Sequence, residues 1–210
     1  PDVDLEDVEV FSSTSAFAVG KRDGGNGTFL VYDNGDWTNE SSAVTFDTDI
    51  KGVWALSDTE VYLAGKRNGS DAQFNRCINS GGWSCTDLLN NNNDNSNQDL
   101  EDVWGDSSNV YFLGKRGRLF IFDHTLSGNA DPANAANWTE ETACKDLAAD
   151  SDFKDLWGDG AGNVYLTGKG KSSGNQATVW KYDGSTCSVM YETTTQDKMD
   201  GGIYGSTATG

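Results

Sequence analysis

The stretch Leu100–Arg116, LEDVWGDSSNVYFLGKR, decides how this chain folds, because it recurs. IKGVWALSDTEVYLAGKR begins at Ile50 and FKDLWGDGAGNVYLTGKG at Phe153. A more diverged copy, LEDVEVFSSTSAFAVGKR, begins at Leu5, and a fifth start, DGGIYGS, at Asp200. Self-similarity at a period of roughly 45 to 53 residues marks a repeat architecture, in which one supersecondary unit is copied and stacked.

Each repeat reads as four short strands. The first is Leu-x-Asp-Val-Trp and its variants: Leu5–Glu9, Ile50–Trp54, Leu100–Trp104 and Phe153–Trp157. A polar turn leads to the second, at Ala16–Gly20, Val61–Gly65, Val110–Gly114 and Val164–Gly168. These runs are apolar on both alternating faces, as a strand covered on both sides requires. The third strand is Thr28–Asp33, Gln73–Ile78, Arg118–Asp123 and Thr178–Asp183. The fourth opens near Trp37, Trp83, Trp138 and Cys187. No segment has helical periodicity long enough to cross over between parallel strands, and Gly, Asn and Asp crowd the turns. Four strands per long period predict an all-β fold, a β-propeller of four-stranded antiparallel blades. The expected blades are approximately 5–49, 50–99, 100–152 and 153–199, with 200–210 starting a further blade, in one domain over 1–210. The Asn-rich run Asn90–Asp99 and the insertion His124–Asn137 read as loops.

VYDNGDW at Val31–Trp37 and KYDGSTC at Lys181–Cys187 resemble the Asp-box turn, Asp-x-Gly-x-x-Trp, between a third and a fourth strand. The whole unit resembles the Leu-x-x-Val-Trp-Gly…Val-Tyr-x-x-Gly…Tyr-Asp-Gly…Trp repeats of secreted bacterial β-propellers. That resemblance covers nearly the whole chain and implies the propeller fold, while such propellers host many tasks. The chain departs from the motif in three ways. The Ser or Thr that opens an Asp-box is absent, Cys187 stands where Trp is expected, and Gly81-Gly82-Trp83 replaces the Asp turn.

The 210 residues suffice for one sizeable core. The net charge of -18 argues against nucleic acid and anionic membranes, which demand a cationic face. No apolar run is long enough to span a bilayer. The chain opens on a repeat strand, as a mature or trimmed product would. Cys77 and Cys85 flank a turn at Ser80-Gly81-Gly82 that would set them opposite each other on a hairpin, within reach of a disulfide. Cys144 and Cys187 then pair by elimination, from similar outer-strand slots of neighbouring blades. Disulfides imply an extracellular or cell-surface home. Asn-x-Ser/Thr sites at Asn26, Asn39, Asn68 and Asn137 fit surface loops.

Two constellations recur with the repeat. Trp54, Trp104 and Trp157 end the first strand; Trp37, Trp83 and Trp138 begin the fourth. Blade-to-blade packing is the expected role of these rings, with sugar stacking as the functional alternative. Asp4, Asp49, Asp99 and Asp152 precede the first strand, and Lys21, Lys66, Lys115 and Lys169 follow the Gly that ends the second, with Arg22, Arg67 and Arg116 next. Antiparallel pairing should bring each Asp beside its Lys on one face near the axis. Such pairs are either local ion pairs or a ring presented to an anionic sugar, a carboxylate or a partner protein.

Enzymatic readings are weak. His124 is the single histidine, which gives a Ser–His or Cys–His centre little support. The GKR strings lack the frame of a phosphate-binding P-loop. No zinc-ligand spacing is visible. Calcium is the one cofactor the composition admits, at Asp47-x-Asp49, Asp94–Asp99 or Asp150-x-Asp152, none of them an EF-hand loop. The expected function is a non-catalytic extracellular module for binding, adhesion, glycan recognition or surface assembly. The alternatives are the propeller part of a sialidase- or glycosidase-like enzyme, or a subunit of a surface filament. Four repeats and a fifth start leave apolar blade faces to be covered, by a longer propeller of five to eight blades or by another copy or partner.

Overall fold

The computed structural model describes residues 3–44, 48–68, 71–88, 99–115, 117–125, 137–144, 152–169, 176–194 and 202–205. Among them, sixteen strands form four four-stranded sheets. Sheet 1 holds β1 (Leu5–Ser12), β2 (Ser15–Arg22), β3 (Gly27–Asp33) and β4 (Asp36–Asn39). Sheet 2 holds β5 (Ile50–Ser57), β6 (Glu60–Asn68), β7 (Asp71–Asn79) and β8 (Trp83–Asp87). Sheet 3 holds β9 (Leu100–Gly105), β10 (Asn109–Gly114), β11 (Leu119–Asp123) and β12 (Trp138–Glu141). Sheet 4 holds β13 (Phe153–Gly158), β14 (Val164–Lys169), β15 (Ala177–Tyr182) and β16 (Cys187–Glu192). Every sheet is an antiparallel meander in chain order. The innermost strands sit side by side, β1 against β5, β5 against β9 and β9 against β13.

The two-residue strand period divides the apolar residues between neighbouring sheets. Phe17, Val19, Phe29 and Val31 of sheet 1 meet Ile50, Val53, Val61 and Leu63 of sheet 2. Trp54, Tyr62, Ala64 and Phe74 meet Leu100, Val103, Val110 and Phe112 of sheet 3. Tyr111, Leu113 and Leu119 meet Phe153, Leu156, Leu166 and Trp180 of sheet 4. Central strands are therefore buried on both faces, which is why β2, β6 and β10 lack polar alternation.

The strand-ending tryptophans set the spacing between sheets. Trp54, Trp104 and Trp157 each lie beside a Tyr of their own sheet, Tyr62, Tyr111 and Tyr165, with centroids 5.9, 5.8 and 6.0 Å apart. Each then covers a glycine of the next unit: Trp54 over Gly105, Trp104 over Gly158, Trp157 over Gly205. A Cβ built on Gly105 would stand 2.6 Å from the Trp54 ring, and one on Gly205 would stand 2.6 Å from Trp157. Trp followed by Gly in the next repeat is thus a matched pair.

One of the fourth strands, β8, departs from the register of the other three. Trp37 pairs with Tyr32, Trp138 with Phe122 and Cys187 with Tyr182, so these three share a slot. In sheet 2 that slot belongs to Cys85, opposite Cys77, while Trp83 pairs with Asn79 two residues earlier. The Ser80–Gly82 turn produces the offset. Gly81 has a φ of 98°, and the Asn79 Oδ1 accepts from the N–H groups of Gly81 and Gly82 at 3.2 and 3.0 Å. Trp83 still reaches sheet 1, edge-on to Phe17 and Phe29 with centroids 5.7 and 5.4 Å away.

Both disulfides are present, Cys77–Cys85 at a Cα separation of 4.0 Å and Cys144–Cys187 at 5.0 Å. Cys144 does not occupy the fourth-strand slot expected of it. It lies in a helical turn over 142–144, just past β12. Where Trp138 packs its ring on Phe74 of the preceding sheet at 5.2 Å, Cys187 reaches the preceding sheet through a covalent bond. Asn137 is buried and therefore is not the surface-loop acceptor its sequon implies. Asn26 is half-buried, its Nδ2 donating to the Ser41 carbonyl at 3.1 Å.

Candidate functional site

At one end of the sheets, the starts of the innermost strands converge on a polar recess of about 510 Å3. It is lined by Glu6, Asp7, Lys51, Glu101, Asp102, Lys154, Asp155 and Gly202. The second residue of each repeat's first strand gives its mouth alternating charge, Glu6, Lys51, Glu101, Lys154. Lys51 pairs with Glu6 across sheets at 2.8 Å, and Lys154 approaches Glu101 at 3.9 Å. Glu101 also receives Lys115 at 3.1 Å.

Beneath the mouth, the third residue of the strand is Asp7, Gly52, Asp102, Asp155 and, in the fifth start, Gly202. The aspartates tie each unit to the next. Asp7 Oδ2 accepts from Val53 N at 2.9 Å and Asp102 Oδ2 from Leu156 N at 3.0 Å. Asp155 Oδ2 accepts from Gly202 N at 2.6 Å and Ile203 N at 2.9 Å. Gly52 makes room for the neighbouring carboxylate, since a Cβ there would stand 2.7 Å from Asp102 Oδ1. Enclosure holds the Asp102 carboxyl well above the usual carboxylate range, reinforced by its hydrogen bond to Asp155 and by the charges of Asp155 and Asp7. Asp7 is raised too, first by enclosure and then by Asp155. A carboxyl that keeps its proton can donate to a second carboxylate, which lets two acids share the recess.

The sequence-predicted Asp–Lys ring lies around this recess. In each sheet the Lys N–H donates to the Asp carbonyl as the last rung of the inner ladder: Lys21–Asp4, Lys66–Asp49, Lys115–Asp99 and Lys169–Asp152 at 3.0, 2.9, 3.2 and 3.0 Å. Side chains pair in three of them, Lys21–Asp4 at 2.5 Å, Lys66–Asp49 at 2.6 Å and Lys115–Asp99 at 2.8 Å. Among the described residues Lys169 and Asp152 form no such ion pair. Arg22 is exposed, and its N–H donates to Asp49 Oδ1 at 3.2 Å. The Arg67 side chain and Arg116 lie outside the described residues, as do Asp47, residues 94–98 and Asp150 of the calcium expectation. No group of three or more His, Cys, Asp or Glu is placed to hold a metal among the described residues.

Glu9 stands in the tryptophan slot of sheet 1. It is half-buried, and its carboxylate accepts from the Ala55 N–H. Enclosure first, then the Asp7 charge, pushes its pKa up to about 7. The other slot residues, Trp54, Trp104 and Trp157, are buried or half-buried, as are Trp83 and Trp138, whereas Trp37 is 51% exposed. His124 is buried at the end of β11, its Nε2 3.1 Å from the Asp106 carbonyl oxygen.

Sequence reasoning singled out the Asp–Lys ring and passed over the recess inside it. Glu6, Asp7, Lys51, Glu101, Asp102, Lys154 and Asp155 read as ordinary strand positions. Stacking the repeats shows the missed signal: the second position alternates in charge, and the third holds only Asp or Gly.

No family model matches the chain, and no curated protein matches it. Solved structures resemble it in fold. The computationally designed Ika8 protein matches with a TM-score of 0.58 at 12% identity over 96% of this chain and 53% of its own. YCF48, a propeller solved with a D1 peptide bound, matches with a TM-score of 0.53 at 14% identity over 90% of this chain and 53% of its own. The chain spans about half the length of these structures. At such identities the likeness concerns the fold alone, a β-propeller-like all-β architecture.

Proposed function

We propose that the four sheets are blades of a β-propeller and that this propeller is a non-catalytic extracellular module for binding or surface assembly. The observation that carries the reading is the recess mouth, where Glu6, Lys51, Glu101 and Lys154 alternate in charge around about 510 Å3. Such a mouth offers both donors and acceptors to a polar ligand, a glycan or a loop of a surface protein. The carboxylates below it are engaged by backbone N–H groups of the following blade, which suits a structural axis better than a reaction centre. The two disulfides accord with an oxidising home. The propeller YCF48 holds a D1 peptide, so the architecture accommodates peptide ligands as well.

The test is a glycan array read beside turnover of aryl glycosides, with Lys51→Ala and Lys154→Ala as controls. The expected result is saturable binding that both variants weaken while their melting midpoints hold. Hydrolysis lost in Asp102→Asn or Asp155→Asn would favour the glycoside-processing alternative, to which the paired carboxyls lend what support it has. Binding that both lysine variants leave intact would move the site away from the recess.

A further inference from the structure

Blade 1 exposes residues that every other blade buries. Leu5, Val8 and Val10 are 54%, 58% and 67% exposed, while Ile50, Val53, Ala55, Leu100, Val103, Phe153 and Leu156, at the same repeat positions, are at most 5% exposed. In blades 2, 3 and 4 these positions face the preceding blade. On blade 1, Leu5 and Val8 line an apolar groove of about 570 Å3 with Ala18, Leu30 and Trp37, and exposed Val10 follows on the same strand. The groove continues an interface that the molecule builds three times over, and its natural occupant is one more blade.

Two features of blade 1 specify which blade that is. The first is size. A Trp at the strand-ending slot demands Gly in the following blade, as at Trp54–Gly105, Trp104–Gly158 and Trp157–Gly205. Glu9, the smaller slot residue, is followed by Ala55. Blade 1 carries Val10 at this position, so the blade before it cannot carry Trp. The second is hydrogen bonding. An aspartate in the preceding blade captures the N–H of the next inner strand at Val53, Leu156 and Ile203. Behind Gly52 that capture is missing, and Val103 N donates to its own Asp102 Oδ1 at 2.8 Å. Val8 N likewise donates to its own Asp7 Oδ1 at 2.8 Å. Blade 1 therefore needs no aspartate from the blade before it and can follow a glycine, as blade 3 follows Gly52.

The fifth repeat meets both demands, with Gly202 at the aspartate position and Tyr204 at the tryptophan slot. It is also already seated on blade 4. Asp155 holds its N–H groups, Trp157 covers Gly205, and Gly202 lines the axial recess with the other four inner strands. We infer that Gly202–Gly205 is the innermost strand of a fifth blade and that this blade closes the ring against β1, with Tyr204 on Val10 and the groove filled. Tyr204, 91% exposed on blade 4 alone, and Val10, 67% exposed on blade 1, then cover each other at the edge of that groove. This inference is independent of any ligand at the recess.

The test uses the full polypeptide with Val10→Cys and Tyr204→Cys, treated with a short bis-maleimide and analysed by size and by peptide mass. Glu9→Cys with Ala55→Cys, neighbours across an existing interface, is the positive control. The expected product is an intramolecular adduct at 10 and 204 on a monomer. An adduct that appears only in a dimer would assign the groove to a second copy and overturn the inference. No adduct, with the control reacting, would place additional blades between them and overturn it equally. A size swap gives a second readout. Tyr204→Trp should lower the melting midpoint, and adding Val10→Gly should restore it; effects that simply add would refute the contact.

Discussion

Removing the Asp102 carboxylate should loosen two sheets at once. Its Oδ1 accepts from Val103 N at 2.8 Å and its Oδ2 from Leu156 N at 3.0 Å, and both residues are buried. Asp102→Ala leaves both donors without a partner. An orphaned buried donor costs about 1–3 kcal/mol, so the expected loss is roughly 2–6 kcal/mol. Asp102→Asn keeps one acceptor oxygen and offers Asp155 an N–H in place of the shared proton, so it orphans one donor and should cost about half as much. The two variants also differ from wild type in pH dependence. The folded-state pKa of Asp102 lies above its unfolded value, so folding takes up a proton, and that stability is lost as pH rises toward the folded pKa. Asp102→Asn cannot titrate and should flatten this part of the profile. The assay is urea unfolding followed by tryptophan fluorescence at several pH values between 5 and 9. A loss below about 1 kcal/mol in Asp102→Ala would refute the reasoning, as would Asp102→Asn faring no better than Asp102→Ala.

Glu9, with its pKa pushed up to about 7, should make the protein more stable as pH falls from 8 toward 5, because the folded state binds the proton that the unfolded state releases. The full shift corresponds to about 3 kcal/mol, reduced to roughly 1–2 kcal/mol for a half-buried group; thermal melts of wild type and Glu9→Gln across that range should converge at low pH and separate at high pH in favour of Gln. The disulfides should contribute unequally, since chain entropy gives about 2.5 kcal/mol for the shorter loop and about 4 kcal/mol for the longer. Cys144→Ser with Cys187→Ser should therefore lower the unfolding midpoint more than Cys77→Ser with Cys85→Ser, and the reverse order would show that the bridge between sheets is dispensable. Trp104→Ala should destabilise by about 3 kcal/mol, at the low end for a large aromatic because the ring is half-buried; an unchanged melt with lost glycan binding would make Trp104 a ligand platform.

The fold was legible because the same unit of four short apolar strands, separated by polar turns, recurs along the chain. The strand order and the four Lys–Asp ladder rungs follow from the repeat alone. The Cys77–Cys85 pairing was legible for the same local reason, a three-residue turn that leaves two cysteines opposite. Position in the fourth strand was harder to read. Trp83 imitates Trp37 and Trp138 in composition, but the two glycines before it shift the register, and the slot goes to Cys85. Cys144 was misplaced because a helical turn after β12 carries it off the strand. The recess was invisible to a reading of one repeat at a time. Glu6 and Lys51 gain meaning only when four strands are brought side by side, and the strand period says nothing about which sheet is a neighbour.

The substitutions that break the repeat form a consistent set. Gly52 replaces an aspartate, and Asp102 of the next sheet moves into the space. Glu9 replaces a tryptophan, and Ala55 replaces the glycine that a tryptophan would require. Cys187 replaces a packing ring, and Cys144 supplies a bond to the same neighbour. Each departure in one repeat is answered in the adjoining one, as expected when stability is divided between units and the interfaces joining them. A side chain at an interface is therefore read correctly only with its counterpart across the gap. By that logic Val10 is not a degraded glycine at the worn end of the chain. It is one half of a contact whose other half must be smaller than tryptophan, and Tyr204 is the residue in this sequence that supplies it.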